Sequence, residues 1–423
     1  MREMKNSGVA WIGDVPENWE IVKIGQLFQC RNVKVNDTDF QPLSVSKGGI
    51  VPQMENVAKS DANDNRKQVL TGDFVINSRS DRKQSCGVSK LDGSVSLINT
   101  VLYNFDKSKV IPEYNNYLLK NYGFAEEFYR WGHGIVADLW TTRWQEMKNI
   151  EIPLPSIKIQ EAILSALRIK SKNISLLISN QEQQIEKLKQ YKQSLITEVV
   201  TKGLNPDVPM KDSGVEWIGK IPKEWKLSKV SMFYDVTLGK MLQPEKQEET
   251  DTLENYLCAA NLGNNTLKLN VLKQMWFSQK DKAQYNVKKG DLIVVEGGDV
   301  ASCDIVRSDV SNLYFQNALH RVRAKKGFSL DFLRYNLIMA KSQGYISLIC
   351  NKATIAHFTK DKLMTLPMLY IPLPEQQQIA TYLDNKCAKI DRLIAIKQEK
   401  INKLNDYKKS LIYEYVTGKR EVC

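Results

Sequence analysis

The stretch ILSALRIKSKNISLLISNQEQQIEKLKQYKQSLITEVV, residues 163–200, returns as IATYLDNKCAKIDRLIAIKQEKINKLNDYKKSLIYEYV at residues 379–416. In the first copy Leu167, Ile174, Leu188 and Leu195 share one seven-residue register with Gln181 in the gap, and Leu177, Ile178, Ile185 and Val199 fill in beside it. Apolar residues at that spacing make a single stripe along a helix. The second copy sets Leu383, Ile390, Leu404 and Leu411 on the same register around Lys397, with Leu393, Ile394 and Ile401 alongside. Neither copy contains Pro or Gly, so each predicts an unbroken helix on the order of 55 Å long at 1.5 Å per residue. The ends YKQSLITEVVTKG (191–203) and YKKSLIYEYVTGK (407–419) agree at eight of thirteen positions, more than periodicity alone requires. The two stripes are therefore expected to pack on each other.

Working outward, the duplication extends to the whole chain. SGVAWIGDVPENWEIVKIG (7–25) returns as SGVEWIGKIPKEWKLSKVS (213–231) with nine of nineteen positions identical, including Trp11 with Trp217, Pro16 with Pro222 and Trp19 with Trp225. Large aromatics around a Pro-containing turn anchor a segment by the area they bury, so this motif predicts a docking clip. The GD pairs at 72–73 and 290–291 and the asparagines Asn99 and Asn317 lie at one offset, and IPLP recurs at 152–155 and 371–374. Each Pro restricts itself and the residue before it to extended backbone, which predicts a stiff exit into the helix. Residues 72–77 and 94–105 read as strands, and 113–131 and 330–349 each as a helix. Residues 201–217 hold Gly and two Pro, a loop by composition.

The expected fold class is α+β. Two α/β globular domains, residues 1–155 and 205–374, are joined by two long helices, residues 156–204 and 375–423, in a pseudo-two-fold internal repeat. Head, rod, head, rod along the chain makes packed rods antiparallel, with both termini near the first head. The copies are not uniform: residues 77–98 and 295–316 agree at only two of twenty-two positions, so the heads are expected to read different things, or to differ by drift in a surface connection.

Composition narrows the chemistry. A chain of 423 residues suits two or three domains, and 60 Lys+Arg against 48 Asp+Glu, a balance of +12, favours a polyanionic partner. Seven Cys with no C-x-x-C pair argue against a disulfide framework or a zinc cluster and suit a reducing cytoplasm. No apolar leader or run of about eighteen apolar residues predicts export or a membrane span. The phosphate-binding G-x-x-x-x-G-K-[ST] and dinucleotide-binding G-x-G-x-x-G patterns are missing, and so is the Asn/Asp-Pro-Pro-aromatic signature of an amino-methyltransferase. The three His, at 133, 320 and 357, stand apart from any catalytic setting. No active site and no metal site is expected, although a nuclease built from loosely spaced Asp, Glu and Lys would escape this reading.

The joint occurrence of W-I-G-x-[VI]-P-x-x-W opening each half, G-D-[FL] before a strand, I-P-L-P before a long helix and Y-K-x-S-L-I-x-E near its end resembles the specificity subunit of type I restriction-modification systems. That resemblance covers nearly the whole chain. It implies that each head is a target recognition domain, that the helices are a coiled-coil spacer, and that the molecule recognises a bipartite, asymmetric double-stranded DNA sequence. It implies partners as well: adenine-N6 methyltransferase subunits, two of them, and ATP-dependent restriction/translocase subunits of an endonuclease complex. Catalysis, S-adenosylmethionine, ATP and Mg would belong to those partners, leaving this cytoplasmic chain without a cofactor. The rival readings are a coiled-coil scaffold that binds proteins only and a self-contained nuclease.

Arg and Gln can read guanine and adenine edges, and Lys and Arg can hold phosphates. In head one the DNA-binding candidates are Arg79, Arg82, Lys83 and Gln84 after a strand, with Arg143 and Trp144 before I-P-L-P. In head two they are Arg307, Gln316, Asn317, His320 and Arg321, with Lys352, Thr354, His357 and Lys360 before I-P-L-P. Alternate strand positions point inward, so these sets must contain core residues too. Leu167, Ile174, Ile178, Ile185, Leu188, Leu195, Leu383, Ile390, Ile394, Ile401, Leu404 and Leu411 are expected to pack the helices.

Overall fold

The computed structural model describes residues 2–53, 64–106, 108–134, 140–350 and 356–422. Two helices dominate it, Ile157–Lys202 and Leu373–Val416. The chain divides into two compact units, Met1–Glu182 with Gln398–Cys423, and Gln183–Lys397. The division therefore cuts both helices, where the linear reading keeps each as a segment of its own. The reason lies in the cores. Ile163, Leu167, Ile174 and Leu411 belong to the first unit's core, while Leu195, Val199, Leu383 and Ile390 belong to the second's.

Within each unit the helix halves run antiparallel. In the first, Lys170 Nζ sits 5.8 Å from the Tyr415 ring and Lys408 donates to Ser175 Oγ at 3.0 Å. In the second, Lys397 donates to Gln184 at 2.5 Å and Lys192 to Asp391 at 2.7 Å. Partner numbers fall along one helix as they rise along the other. The twelve expected packing residues are all buried or half-buried, whereas Leu177 and Leu393, read as part of the stripe, are exposed. A period of 3.6 carries these flanking positions round to the solvent side.

Each unit holds a four-stranded sheet of the same order. In the first it runs Cys86–Val88, Phe74–Asn77, Asn99–Asn104, Phe28–Cys30, and in the second Cys303–Ile305, Leu292–Val295, Leu319–Ala324, Tyr234–Leu238. The GD pair shapes one turn in both. Gly72 and Gly290 take left-handed φ of 94° and 91°, which glycine adopts without a Cβ penalty. The aspartate beside each caps the same turn, Asp73 accepting from Leu70 N–H at 2.9 Å and Asp291 from Lys288 N–H at 2.8 Å. Each carboxylate is also gripped by two nitrogens of one guanidinium, Arg31 at 2.7 and 3.0 Å and Arg323 at 2.6 and 2.8 Å. The arginines come from different strand regions, so the pairing was rebuilt rather than copied.

The tryptophan motif is a clip on a helix end. Met4–Asn6 pairs with Asp14–Pro16, and Met210–Asp212 with Lys220–Pro222, so part of the expected 201–217 loop is strand. Trp19 and Trp225 are buried. A Cβ on Gly418 would lie 2.4 Å from Pro16, and one on Gly203 would lie 3.1 Å from Trp225, so the clip seats on the glycine that ends each long helix. The first IPLP segment is more than an exit, since Glu151–Leu154 pairs with Glu20–Lys23; in the second copy the paired strand, Pro367–Tyr370 on Lys226–Lys229, ends just before IPLP, whose Leu373 opens the helix. Just beyond it, Gln160 and Gln376 are fully buried. Gln160 donates to Pro155 O at 2.9 Å and accepts from Ile111 N–H at 3.0 Å; Gln376 donates to Ile371 O at 2.8 Å and accepts from Ser329 N–H at 2.9 Å. Backbone groups that would otherwise be buried without partners are satisfied in this way.

Three local readings change. Residues 94–105 split into Gly93–Ser96 and Asn99–Asn104 around a turn at Leu97 and Ile98. Residues 113–131 form Asn115–Leu118 and Tyr122–Arg130, the second capped by Asn121, whose side chain accepts from Phe124 N–H. Leu330–Ser342 and Tyr345–Ile349 are separated at Gly344, with φ 77°.

Candidate nucleic-acid interface

In the first unit one end of the four-stranded sheet gathers polar and basic side chains. The strand ending at Asn77 leads into Ser78 and Arg79, and the strand starting at Asn99 begins beside them. Arg79 forms an isolated antiparallel bridge with Thr141, and Thr142 N–H donates to Ser78 O at 3.0 Å. That bridge brings the segment of Arg143 and Trp144 to the same sheet end.

Two clefts open there. One is lined by Asn32, Lys67, Ile98, Arg143 and Trp144 among others, the second by Arg66, Asn77, Arg79, Arg82 and Ile98 among others. Among the described residues, no Asp or Glu lines either cleft. Arg79 and Arg82 both reach Asp81, at 3.2 and 3.5 Å, two cations on one carboxylate. The Lys67 ammonium donates to Asn99 O at 2.8 Å, and burial pushes its pKa down. Arg66 is buried against Ser94, and burial lowers its guanidinium also, with Asp37 opposing. Cations lining a concave surface raise the local potential and attract a polyanion. Lys83 is committed to Glu126 at 3.0 Å, and Gln84 is half-buried with a left-handed φ of 62°.

The second unit repeats the geometry with other side chains. Gly297 bridges His357, as Arg79 bridges Thr141, and Phe358 N–H donates to Glu296 O at 2.8 Å, as Thr142 does to Ser78. Lys240 bridges Gln316, and Asn317 N–H donates to Lys240 O at 2.9 Å. This end thus collects Gln316, Asn317 and His357, with Lys360 exposed three residues on. Lys240 pairs with Asp281 at 2.8 Å.

Two candidates are corrected. His320 and Arg321 lie on the strand Leu319–Ala324, whose first four residues are all buried because the sheet is covered on both sides. The fully buried His320 has Nε2 2.8 Å from Phe358 O, and burial lowers its pKa. Arg321 donates to Asn286 O and lies 5.4 Å from the Phe315 ring centroid; burial, then neighbouring Arg323, push its guanidinium down. Both hold the fold. Arg307 is exposed but pairs at 2.6 Å with Asp331 at the start of Leu330–Ser342. Lys352 and Thr354 lie outside the described residues. Sequence reasoning missed Asn32 and Lys67, whose only signal was a basic residue inside a short strand-like run.

Among the described residues no group of three or more His, Cys, Asp or Glu could hold a metal ion, and no helix is long and apolar enough to cross a membrane.

Comparison with known proteins gives this arrangement its class. The family model "Type I restriction modification DNA specificity domain" matches residues 222–406. The type I restriction enzyme MjaVIII specificity subunit of Methanocaldococcus jannaschii is 24% identical over 435 residues, covering 96% of this chain and 94% of that one. The MjaX specificity subunit of the same organism is 23% identical, covering 97% and 96%. The fold is shared with a chain solved in a study of complex assembly and conformational transition of the type I R-M system, at TM-score 0.73, 15% identity and coverage of 96% and 99%. It is shared also with the HsdS subunit from Thermoanaerobacter tengcongensis, at TM-score 0.53, 16% identity and coverage of 96% and 98%. Residues 222–406 thus match a type I restriction-modification DNA specificity domain, and the chain is similar to type I restriction enzyme specificity subunits over nearly its whole length.

Proposed function

We propose that this chain is the DNA-reading subunit of a type I restriction-modification complex, with each unit reading one half of a split, asymmetric DNA target. The observation that carries the reading is the repeated sheet end, where the same bridge and backbone hydrogen bond gather different side chains: Arg79, Arg143 and Trp144 in one unit, His357 with nearby Gln316 and Asn317 in the other. Base edges in the major groove are told apart by such side chains, and phosphate contacts from Lys67, Arg82 and Lys360 fix register.

The long helices serve as the spacer that sets how many unread base pairs lie between half-sites, near one turn of B-DNA if both are approached from one face. The helices also dock two adenine-N6 methyltransferase subunits and, in the full enzyme, ATP-dependent restriction subunits. S-adenosylmethionine, ATP and Mg act on those partners, in the cytoplasm.

Exchange of residues 20–150 for the corresponding head of a relative tests this directly. Methylation mapping of the reconstituted modification complex is expected to show one half of the target changed and the other retained. A change in both halves would remove the premise of independent readers.

A further inference from the structure

The turn Leu97–Ile98 joins Gly93–Ser96 to Asn99–Asn104, and tight turns of this kind usually carry Asn, Asp or Gly. Here the tip is two large apolar side chains, Leu97 42% and Ile98 39% exposed. Ile98 lines both basic clefts and Leu97 one of them. A scattered surface leucine carries no meaning. An apolar pair at the meeting point of two clefts that otherwise present Lys67, Arg79, Arg82 and Arg143 is a different matter.

The second unit makes the case independently. The positions aligned with Leu97 and Ile98 at the offset of 218 are Phe315, which is fully buried, and Gln316, which is half-buried, so the apolar tip was not inherited. Instead Met241 and Leu242, just beyond the strand Tyr234–Leu238, stand 73% and 54% exposed. Met241 Sδ lies 3.6 Å from Nδ2 of Asn317, the counterpart of the Asn99 that follows Ile98. Two unrelated segments thus bring exposed apolar side chains beside the equivalent asparagine, Leu97 and Ile98 just before Asn99 and Met241, with Leu242 next in the chain, against Asn317. Gly239 makes the approach possible, since a Cβ there would lie 2.3 Å from the Gln316 carbonyl carbon.

Resting on the half-site reading above, we infer that Leu97 with Ile98, and Met241 with Leu242, are specificity-determining side chains that contact thymine C5-methyl groups, one pair in each half-site. The basic surround draws in a nucleic acid, and the methyl of thymine is the apolar group that base edges offer in the major groove. Burying one methyl contributes about 0.8 kcal/mol, a factor of roughly four in affinity.

The test uses the complete chain with its methyltransferase partner and duplexes of its mapped target in which each thymine in turn is replaced by deoxyuridine. The expected result is a roughly fourfold loss at one or more thymines in each half. Leu97→Ala with Ile98→Ala should abolish the thymine preference in the first unit's half only, and Met241→Ala with Leu242→Ala in the other only. All four side chains are exposed, so these variants keep the fold. Equal binding of thymine and uracil duplexes at every position overturns the inference while leaving the half-site reading intact. So does a 2-aminopurine signal showing an unstacked step with no thymine preference, which would make the pairs wedges. Absence of any sequence-specific binding takes down both.

Discussion

The two units share one sheet and differ in the other. Their four-stranded sheets match strand for strand, yet the three-stranded sheets are wired differently. In the first unit Gly93–Ser96 lies antiparallel to Arg66–Val69; in the second, Leu313–Phe315 lies parallel to Thr252–Leu257. The matching sheet joins the core packed on the helix halves, where close packing penalises any change of volume or register. The variable sheet is fed by connections such as residues 239–251, whose length is thermodynamically cheap to alter. A duplicated chain keeps the sheet that holds its helices and rewires the other.

That comparison can be broken in several ways. The largest effect is expected at the clip, where Trp19→Ala and Trp225→Ala should each destabilise their own unit by about 3–5 kcal/mol, the usual range for emptying a buried aromatic site. Thermal unfolding followed with hydrogen exchange assigns the loss to a unit, and an exposed-site cost below about 1 kcal/mol in either would end the equivalence. Next come the turn carboxylates. Asp73→Asn and Asp291→Asn should cost on the order of 2–3 kcal/mol, the range for hydrogen bonds to a charged group. The cost should be greater at Asp73, because Arg31 is 18% exposed and Arg323 35%, and Arg323 keeps Asn286 as a partner at 2.9 Å. Chemical denaturation of the two variants checks the order.

A smaller change is expected in DNA binding. Arg82→Ala and Lys360→Ala, both exposed, should each weaken affinity for every sequence about equally if they hold phosphate, and should lower the salt slope by about one. Fluorescence anisotropy across a salt series reads this out, and loss confined to particular base substitutions would move the residue to base contact. The smallest effect concerns acid. His320 is buried beside the Phe358 carbonyl with Glu296 and Lys360 as the charges that act on it, and its pKa in the fold lies below the ordinary 6.5. Below about pH 6.5 the unfolded chain takes up a proton that the folded His320 refuses, so stability falls as pH falls through that value. His320→Asn should flatten this part of the melting profile for the second unit and leave the first unchanged.

Much of this was legible in the sequence because it depends on spacing. A heptad stripe, a repeated clip and a repeated GD turn each state their geometry locally. The helix contacts of Ile174, Leu195, Ile390 and Leu411 followed from period alone. What failed did so for reasons of environment. His320 and Arg321 have the chemistry of base readers, but whether a strand faces water or core is set by what covers the sheet. Lys67, by contrast, reads as ordinary and becomes a cleft residue through the strands around it.

By itself the sequence determined the duplication, the two long helices, and a basic chain lacking familiar catalytic motifs, since periodicity, composition and motif spacing act through the backbone close at hand. Only the tertiary structure decided that each helix divides its apolar stripe between two cores and that the bridges Arg79 to Thr141 and Gly297 to His357 gather distant segments at one sheet end. Such choices rest on contacts between residues many positions apart, whose energy depends on which surfaces are buried together rather than on any local pattern.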